Sequence, residues 1–211
     1  MKKYLIIFCA ALAYLFLSSR SCEGPEQQDI LTDEEVLAAT KDSIEHRFAL
    51  DDLSPALLNA LEIQAQQKLA DFGDYLNLYT DASLDSAFRI QARGMVRELF
   101  IADTVHINPL LMSHAGGMNL SMNDFLVAQT NIDSPTLLID SIRTIKSLSR
   151  TDEVSYKGII SFQRQIQYHT GSDTLLSDKT SMAAEIIAFK AVKAIGSDTL
   201  RVWEVSLGGI W

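Results

Sequence analysis

Residues 155–168, with the sequence SYKGIISFQRQIQY, decide the fold of this chain. In this stretch, apolar or aromatic residues alternate with polar ones. Successive side chains of a β-strand point to opposite faces of the sheet, so this alternation predicts a half-buried strand. One face carries Tyr156, Gly158, Ile160, Phe162, Ile166 and Tyr168, and the other carries Lys157, Ser161, Gln163, Gln165 and Gln167.

Arg164 interrupts the apolar face, between Phe162 and Ile166. A charge in that position is unfavourable unless it is paired. In one interpretation the guanidinium binds a ligand carboxylate through two parallel hydrogen bonds. In the other, which the sequence favours, it pairs internally with Glu185 or Glu204, or a bulge turns it to solvent.

Three further segments predict strands around this one. Residues 136–148 are rich in Ile, Leu and Thr, and residues 199–210 are rich in Val and Trp. Residues 181–195 contain Ala, Glu and Lys, which favour a helix, with Gly196 as its C-cap. A strand there would instead pair with both neighbours through two Gly-Ser-Asp turns at residues 171–173 and 196–198. We therefore favour a strand.

Helices are predicted before the strands. A capping-box pattern at residues 32–35 begins a helix that runs to about Phe48. Ser54 and Pro55 begin a second helix, with an N-cap and a proline at its first position. Asp81 or Ser83 begins a third, and residues 121–126 form a short fourth. The apolar stripe of the second helix is Leu58, Leu61, Ala65, Leu69, Phe72, Leu76 and Tyr79, and that of the third is Leu84, Phe88, Met95 and Leu99.

This order of elements, helices and then long hairpins that end in residues 202–208 (VWEVSLG), resembles the NTF2-like (cystatin-like) family over about residues 55–210. The resemblance implies an α+β fold in which a curved antiparallel sheet wraps a long helix to form a cone with a pocket. Tyr156 and Tyr75 join Arg164 as ligand-pocket candidates. Enzymes of the family place Asp, His or Tyr in the cone, so Asp103 and His106 are acid–base candidates.

The amino terminus is typical of an export signal. Lys2 and Lys3 precede an uncharged apolar run, Tyr4 to Leu17, that is short for a membrane span. The residues that follow, Ser18 to Cys22, resemble a bacterial lipobox. Residues 1–21 are therefore predicted to be a lipoprotein-type signal peptide and Cys22 the lipidated residue. Ordinary secretion with a free Cys22 is the alternative.

Residues 22–31 are predicted to be an acidic tether and residues 32–211 a single α+β domain. Removing residues 1–21 takes away three basic residues and no acidic one, which leaves 15 basic against 27 acidic residues and a formal charge of −12. Such a charge argues against binding to nucleic acid. Attachment to a membrane would then depend on the lipid, which predicts an outer-membrane or cell-surface location, or alternatively a periplasmic one.

Sequence motifs for chemistry are few. The chain has no P-loop and no dinucleotide fingerprint, and its four histidines lack metal-ligand spacing, so we predict no cofactor, no metal site and no assigned catalytic residue. We therefore expect a non-enzymatic envelope lipoprotein that binds a protein or a small ligand. The alternative is a small NTF2-like lyase or isomerase, which would need two titratable groups within hydrogen-bond reach of one cavity.

Overall fold

The computed structural model describes residues 40, 41, 43, 52–112, 119–129, 135–152, 154–170, 173–195 and 198–211. The chain divides into two units, residues 1–42 and residues 43–211, and the fold below is that of the second. Thr40, Lys41 and Ser43 are helical, within the helix predicted from residue 32. The predicted signal peptide, Cys22 and the tether lie outside the described residues. Among the residues described, no helix combines the length and the apolar character needed to cross a membrane.

The longest helix, α1, spans Pro55–Thr80 and begins as predicted. The Ser54 side chain accepts a hydrogen bond from the Leu57 N–H at 3.2 Å, and Pro55 occupies the first helical position. The first backbone N–H groups of a helix have no acceptor within the helix. The N-cap side chain supplies an acceptor for one of them, and a proline at the first position has no N–H to satisfy. The apolar stripe is buried over most of its length, at Leu61, Ala65, Leu69, Phe72, Leu76 and Tyr79.

Helix α2, Ser86–Glu98, begins later than predicted. Asp81 does not start it, because its carboxylate accepts hydrogen bonds from the backbone and the hydroxyl of Ser83 in a turn. Asp85 is the N-cap and accepts from the Ala87 N–H at 2.8 Å. The predicted apolar face is also wrong at Phe88, which is 66% exposed. Ala92 and Val96 are buried instead, and α2 packs against α1.

The sheet contains the predicted long strands: β3 (Thr136–Arg150), β4 (Ser155–Thr170), β6 (Thr180–Ile195) and β7 (Asp198–Ile210). The shorter strands β1 (His106–Ile107), β2 (Leu120–Ser121) and β5 (Asp173–Leu176) were not predicted. The strand order is β2-β1-β7-β6-β4-β3, and β5 pairs with the end of β4. A 3-10 turn (Pro109–Leu111) and helix α3 (Met122–Gln129) lie between β1 and β3.

Residues 181–195 are a strand, as favoured from the sequence. β6 lies between β4 and β7 and is antiparallel to both. Between β4 and β6 the chain forms the short strand β5, which pairs with β4, so a single turn does not join β4 to β6 as predicted. One further correction concerns strand direction: the sheet is not wholly antiparallel, since Ile107 pairs with Ile210 in parallel. The chain leaving α2 runs alongside β7 in the same direction, with the Leu207 N–H bonded to the Leu99 carbonyl at 2.9 Å.

Helix α1 also binds β3, the strand at one end of the sheet. The Asn77 side chain exchanges two hydrogen bonds with the backbone of Leu137, at 2.7 and 2.8 Å. Two turns from the other end of α1, Glu62 accepts from the Leu148 N–H at 2.8 Å. These side chains satisfy backbone groups that the last strand of a sheet leaves unpaired. β3 is further interrupted by three irregularities in its register with β4, which bend a sheet.

The predicted α+β fold, with helices packed on a long-stranded, curved sheet, is therefore confirmed. The core lies between α1 and the face of the sheet that carries the apolar residues of β4. Along β4, that face is buried at Tyr156, Gly158, Ile160, Phe162, Arg164 and Ile166.

Candidate functional site

Arg164 lies inside the domain, on the core face of β4. Its partners in the neighbouring strands are Ile139 of β3 and Thr180 of β6. The residue is 3% exposed, and Phe162 and Ile166 on either side are 1% and 0% exposed. The register with β3 is regular through this point, so no bulge turns the side chain towards solvent.

The guanidinium of Arg164 is incompletely satisfied. Its Nε and Nη1 atoms are buried and have no hydrogen-bond partner in the part of the chain that the structure describes. Neither of the internal partners considered from the sequence is used: Glu185 binds Lys157 at 3.0 Å, and Glu204 binds Lys193 at 3.0 Å. Donors left unpaired in the interior are unfavourable, because they lose water without gaining another acceptor.

Burial also changes the acid–base properties of this residue. Desolvation lowers the pKa of the Arg164 guanidinium, because burial disfavours the charged form, and the electrostatic influence of Tyr168 acts in the opposite direction. The Nε–H and Nη1–H groups point to different sides of the planar guanidinium, so an anion placed against either of them would supply one of the missing acceptors.

Tyr156, the second ligand-pocket candidate, lies in the core. It is 5% exposed, and its hydroxyl accepts a hydrogen bond from the Leu53 N–H at 3.1 Å. Its ring packs edge-on against Trp203, with centroids 5.5 Å apart. These contacts hold the segment before α1 against the sheet, and they give the Tyr156 hydroxyl a hydrogen-bond partner inside the protein.

Tyr75, the third candidate, lines a cleft of about 470 Å³ between α1, α2 and β7. Residues on one face of each helix line the cleft. Lys68 and Tyr75 are seven residues apart on α1, and residues three and four apart on a helix share a face. Met95 and Glu98 of α2 and its C-cap, Leu99, have that spacing, and Glu204 of β7 completes the lining.

The charged side chains of the cleft differ in whether they have an ion-pair partner. Lys68 and Glu204 form an ion pair at 3.5 Å, and their side chains are 22% and 26% exposed. Lys193 binds the same oxygen of Glu204 at 3.0 Å, so this carboxylate is shared by two lysines. Glu98 is exposed and has no ion pair among the residues that the structure describes.

The acid–base candidates Asp103 and His106 are both exposed, so the structure does not bring them together in the interior. Asp103 forms a two-point ion pair with Arg97, through Nε at 2.9 Å and through Nη2. The hydrogen bond from Arg97 lowers the pKa of the Asp103 carboxyl. His106 is in the two-residue strand β1, paired with Ser121.

Sequence reasoning missed most of the cleft. Lys68 and Glu98 were not singled out, Met95 was assigned only to the apolar stripe of its helix, and Glu204 was considered only as a partner for Arg164. The helical spacing of these residues places them on common faces of α1 and α2. What the spacing does not give is which two helix faces meet, since that depends on how α2 packs against α1 and β7.

Comparison with known proteins adds little. No family model matches the chain, and no curated protein matches it. Among solved structures, a protein of Novosphingobium aromaticivorans provisionally described as a scytalone dehydratase is similar to this chain with a TM-score of 0.33 and 9% sequence identity. The match covers 74% of this chain and 90% of the other. The assignment of function therefore depends on the residues described above.

Proposed function

We propose that this chain is an exported lipoprotein, attached to the envelope through Cys22, whose domain binds a small anionic ligand at Arg164. The observation that carries the proposal is the buried guanidinium with two unpartnered nitrogens. A folded domain keeps such a group at a cost in stability, which an incoming carboxylate would offset by its negative charge and by a hydrogen bond to one of the two nitrogens. Arginine suits this role because its guanidinium stays charged and carries several N–H donors.

The lyase or isomerase alternative has one observation in its favour. Lys68 and Glu204 are two titratable groups in contact in one cleft. The Glu204 carboxylate is held by two lysines, Lys68 and Lys193, which is the arrangement of a structural ion-pair network. We therefore favour an ion-paired, structural role for it and a binding function for the protein.

The ligand proposal is tested with straight-chain carboxylates from acetate to octanoate, each compared with the alcohol of equal length. We expect carboxylates, and not the alcohols, to raise the melting temperature of the purified protein, because a ligand that binds only the folded state stabilises it. Arg164→Met should abolish the upshift, and Arg164→Lys should keep only part of it, since lysine is a point charge.

Arg143→Met is the matched control. Arg143 is exposed and donates to Ser161 at 3.2 Å, so its loss should leave the upshift unchanged. If alcohols and carboxylates raise the melting temperature equally, or if Arg164→Met responds like the unmodified protein, Arg164 is not an anion site.

The lipid attachment is tested separately. Cys22→Ser should abolish incorporation of a fatty-acid analogue and move the protein from the membrane fraction to the soluble fraction, because serine offers no thiol for acylation. The measurement is metabolic labelling followed by fractionation. Cys9→Ser, a change within the predicted signal peptide, is the control and should label normally. Label that persists on Cys22→Ser would contradict the lipobox interpretation.

A further inference from the structure

The cleft between α1, α2 and β7 has the dimensions of a ligand site. Its volume of about 470 Å³ falls within the range of roughly 300–1,000 Å³ that is common for small-molecule sites. From Lys68 to Tyr75 it follows α1 for seven residues, which is about 10 Å at the rise of an α-helix. This length fits a molecule of a few carbon atoms with one polar head.

The charged side chains of the cleft are not all paired. Lys68 and Glu204 bind each other, and Lys193 from outside the lining binds the same carboxylate; with Glu98 the four charges sum to zero. Glu98 has no such partner in the described part of the chain. It is also the last residue of α2, where the helix presents the negative end of its dipole. A cation placed beside Glu98 would therefore interact favourably with both the carboxylate and the helix end.

The remaining lining residues suit an organic cation rather than a metal ion. Tyr75 offers an aromatic ring and Met95 and Leu99 offer apolar surface. Aromatic faces attract ammonium groups, and apolar walls favour their alkyl substituents. A metal ion would need several oxygen ligands, and the described residues contain no group of three His, Cys, Asp or Glu residues able to hold one. The negative charge of the whole chain, −9, also favours the approach of cations.

We propose that this cleft binds a small organic ammonium ion, with Glu98 as the counter-ion and Tyr75 as the aromatic contact. The site differs from the one at Arg164 in place and in the charge of its ligand, so failure of one proposal would not contradict the other. Its expected ligands carry a positive head and a short apolar body, and an uncharged molecule of the same shape should bind poorly.

The test uses choline as the probe and 3,3-dimethylbutan-1-ol, which has the same shape without the charge, as the comparison. Binding to the full chain purified in detergent is followed by amide and side-chain NMR shifts. We expect choline to shift the signals of Met95, Leu99 and Tyr75 in a saturable manner, with an affinity at least fivefold above that of the alcohol. That ratio corresponds to about 1 kcal/mol, the contribution of an ion pair near the surface.

Glu98→Gln should weaken choline binding about fivefold without affecting the fold, because Glu98 is exposed. Asp178→Asn, which removes an equal charge from an exposed position outside the cleft, is the matched control and should leave the affinity unchanged. Equal binding of choline and the alcohol, equal effects of Glu98→Gln and Asp178→Asn, or no saturable shift in the cleft would each refute the proposal.

Discussion

Replacing Ile187 by proline should strongly destabilise the domain. Ile187 is in the middle of β6, where it pairs with Lys157 of β4 on one side and with Ser206 of β7 on the other. Proline has no N–H and a fixed φ, so it removes one hydrogen bond of the ladder and distorts the strand. We expect a loss of at least about 3 kcal/mol. Domains of this kind have a total stability of roughly 5–15 kcal/mol.

Urea denaturation followed by circular dichroism measures this effect. Ile187→Val, which keeps a branched side chain and the N–H, is the control and should lose no more than about 1 kcal/mol. A proline variant that unfolds cooperatively, at a urea midpoint close to that of the valine variant, would show that β6 is not an indispensable central strand.

β6 shows how far the sequence determines this fold. Its alanines, glutamate and lysines favour a helix in isolation. Every second residue nevertheless faces the core: Met182, Ala184, Ile186 and Ala188. This period of two is that of a strand, whereas a helix has a period of 3.6. Pairing with β4 and β7 outweighs the local preference, and the positions of those two strands could be predicted from their own patterns.

The short strands could not be predicted in this way. β1 and β2 have two residues each, too few to show any periodicity. β1 pairs with Ile210 at the far end of the chain, so it exists because the fold brings those segments together. The start of α2 was misplaced for a local reason, since both Asp81 and Asp85 are good caps and only their hydrogen bonds distinguish them.

The two candidate sites also differ in how much of each could be predicted from the sequence. Arg164 could be found from the sequence, because a single charge on the apolar side of an alternating strand is a local anomaly. Its lack of a partner could not, since Glu185 and Glu204 were both plausible and the structure gives each of them to lysines. The cleft could not be found at all, because it depends on how two helices and one strand are packed.

Replacing Arg164 by methionine should raise, rather than lower, the free energy of unfolding of the ligand-free domain. The substitution removes a buried charge with two unpartnered donors and puts an apolar side chain between Phe162 and Ile166. Replacing buried ionic groups by apolar ones is often stabilising by about 1–4 kcal/mol, and we expect a gain in the lower half of that range because methionine is shorter than arginine. Urea denaturation without added ligand measures the change.

Two control variants make the result interpretable. Arg164→Gln keeps unpaired polar atoms in the same place and should give no comparable gain. Arg143→Met makes the same chemical change at an exposed position and should lose at most about 1 kcal/mol, with its hydrogen bond to Ser161. If Arg164→Met instead loses several kcal/mol, the guanidinium has a structural partner in solution and the anion site is refuted. A gain in stability together with the loss of carboxylate binding would mean that the domain retains Arg164 for its ligand at the expense of its own stability.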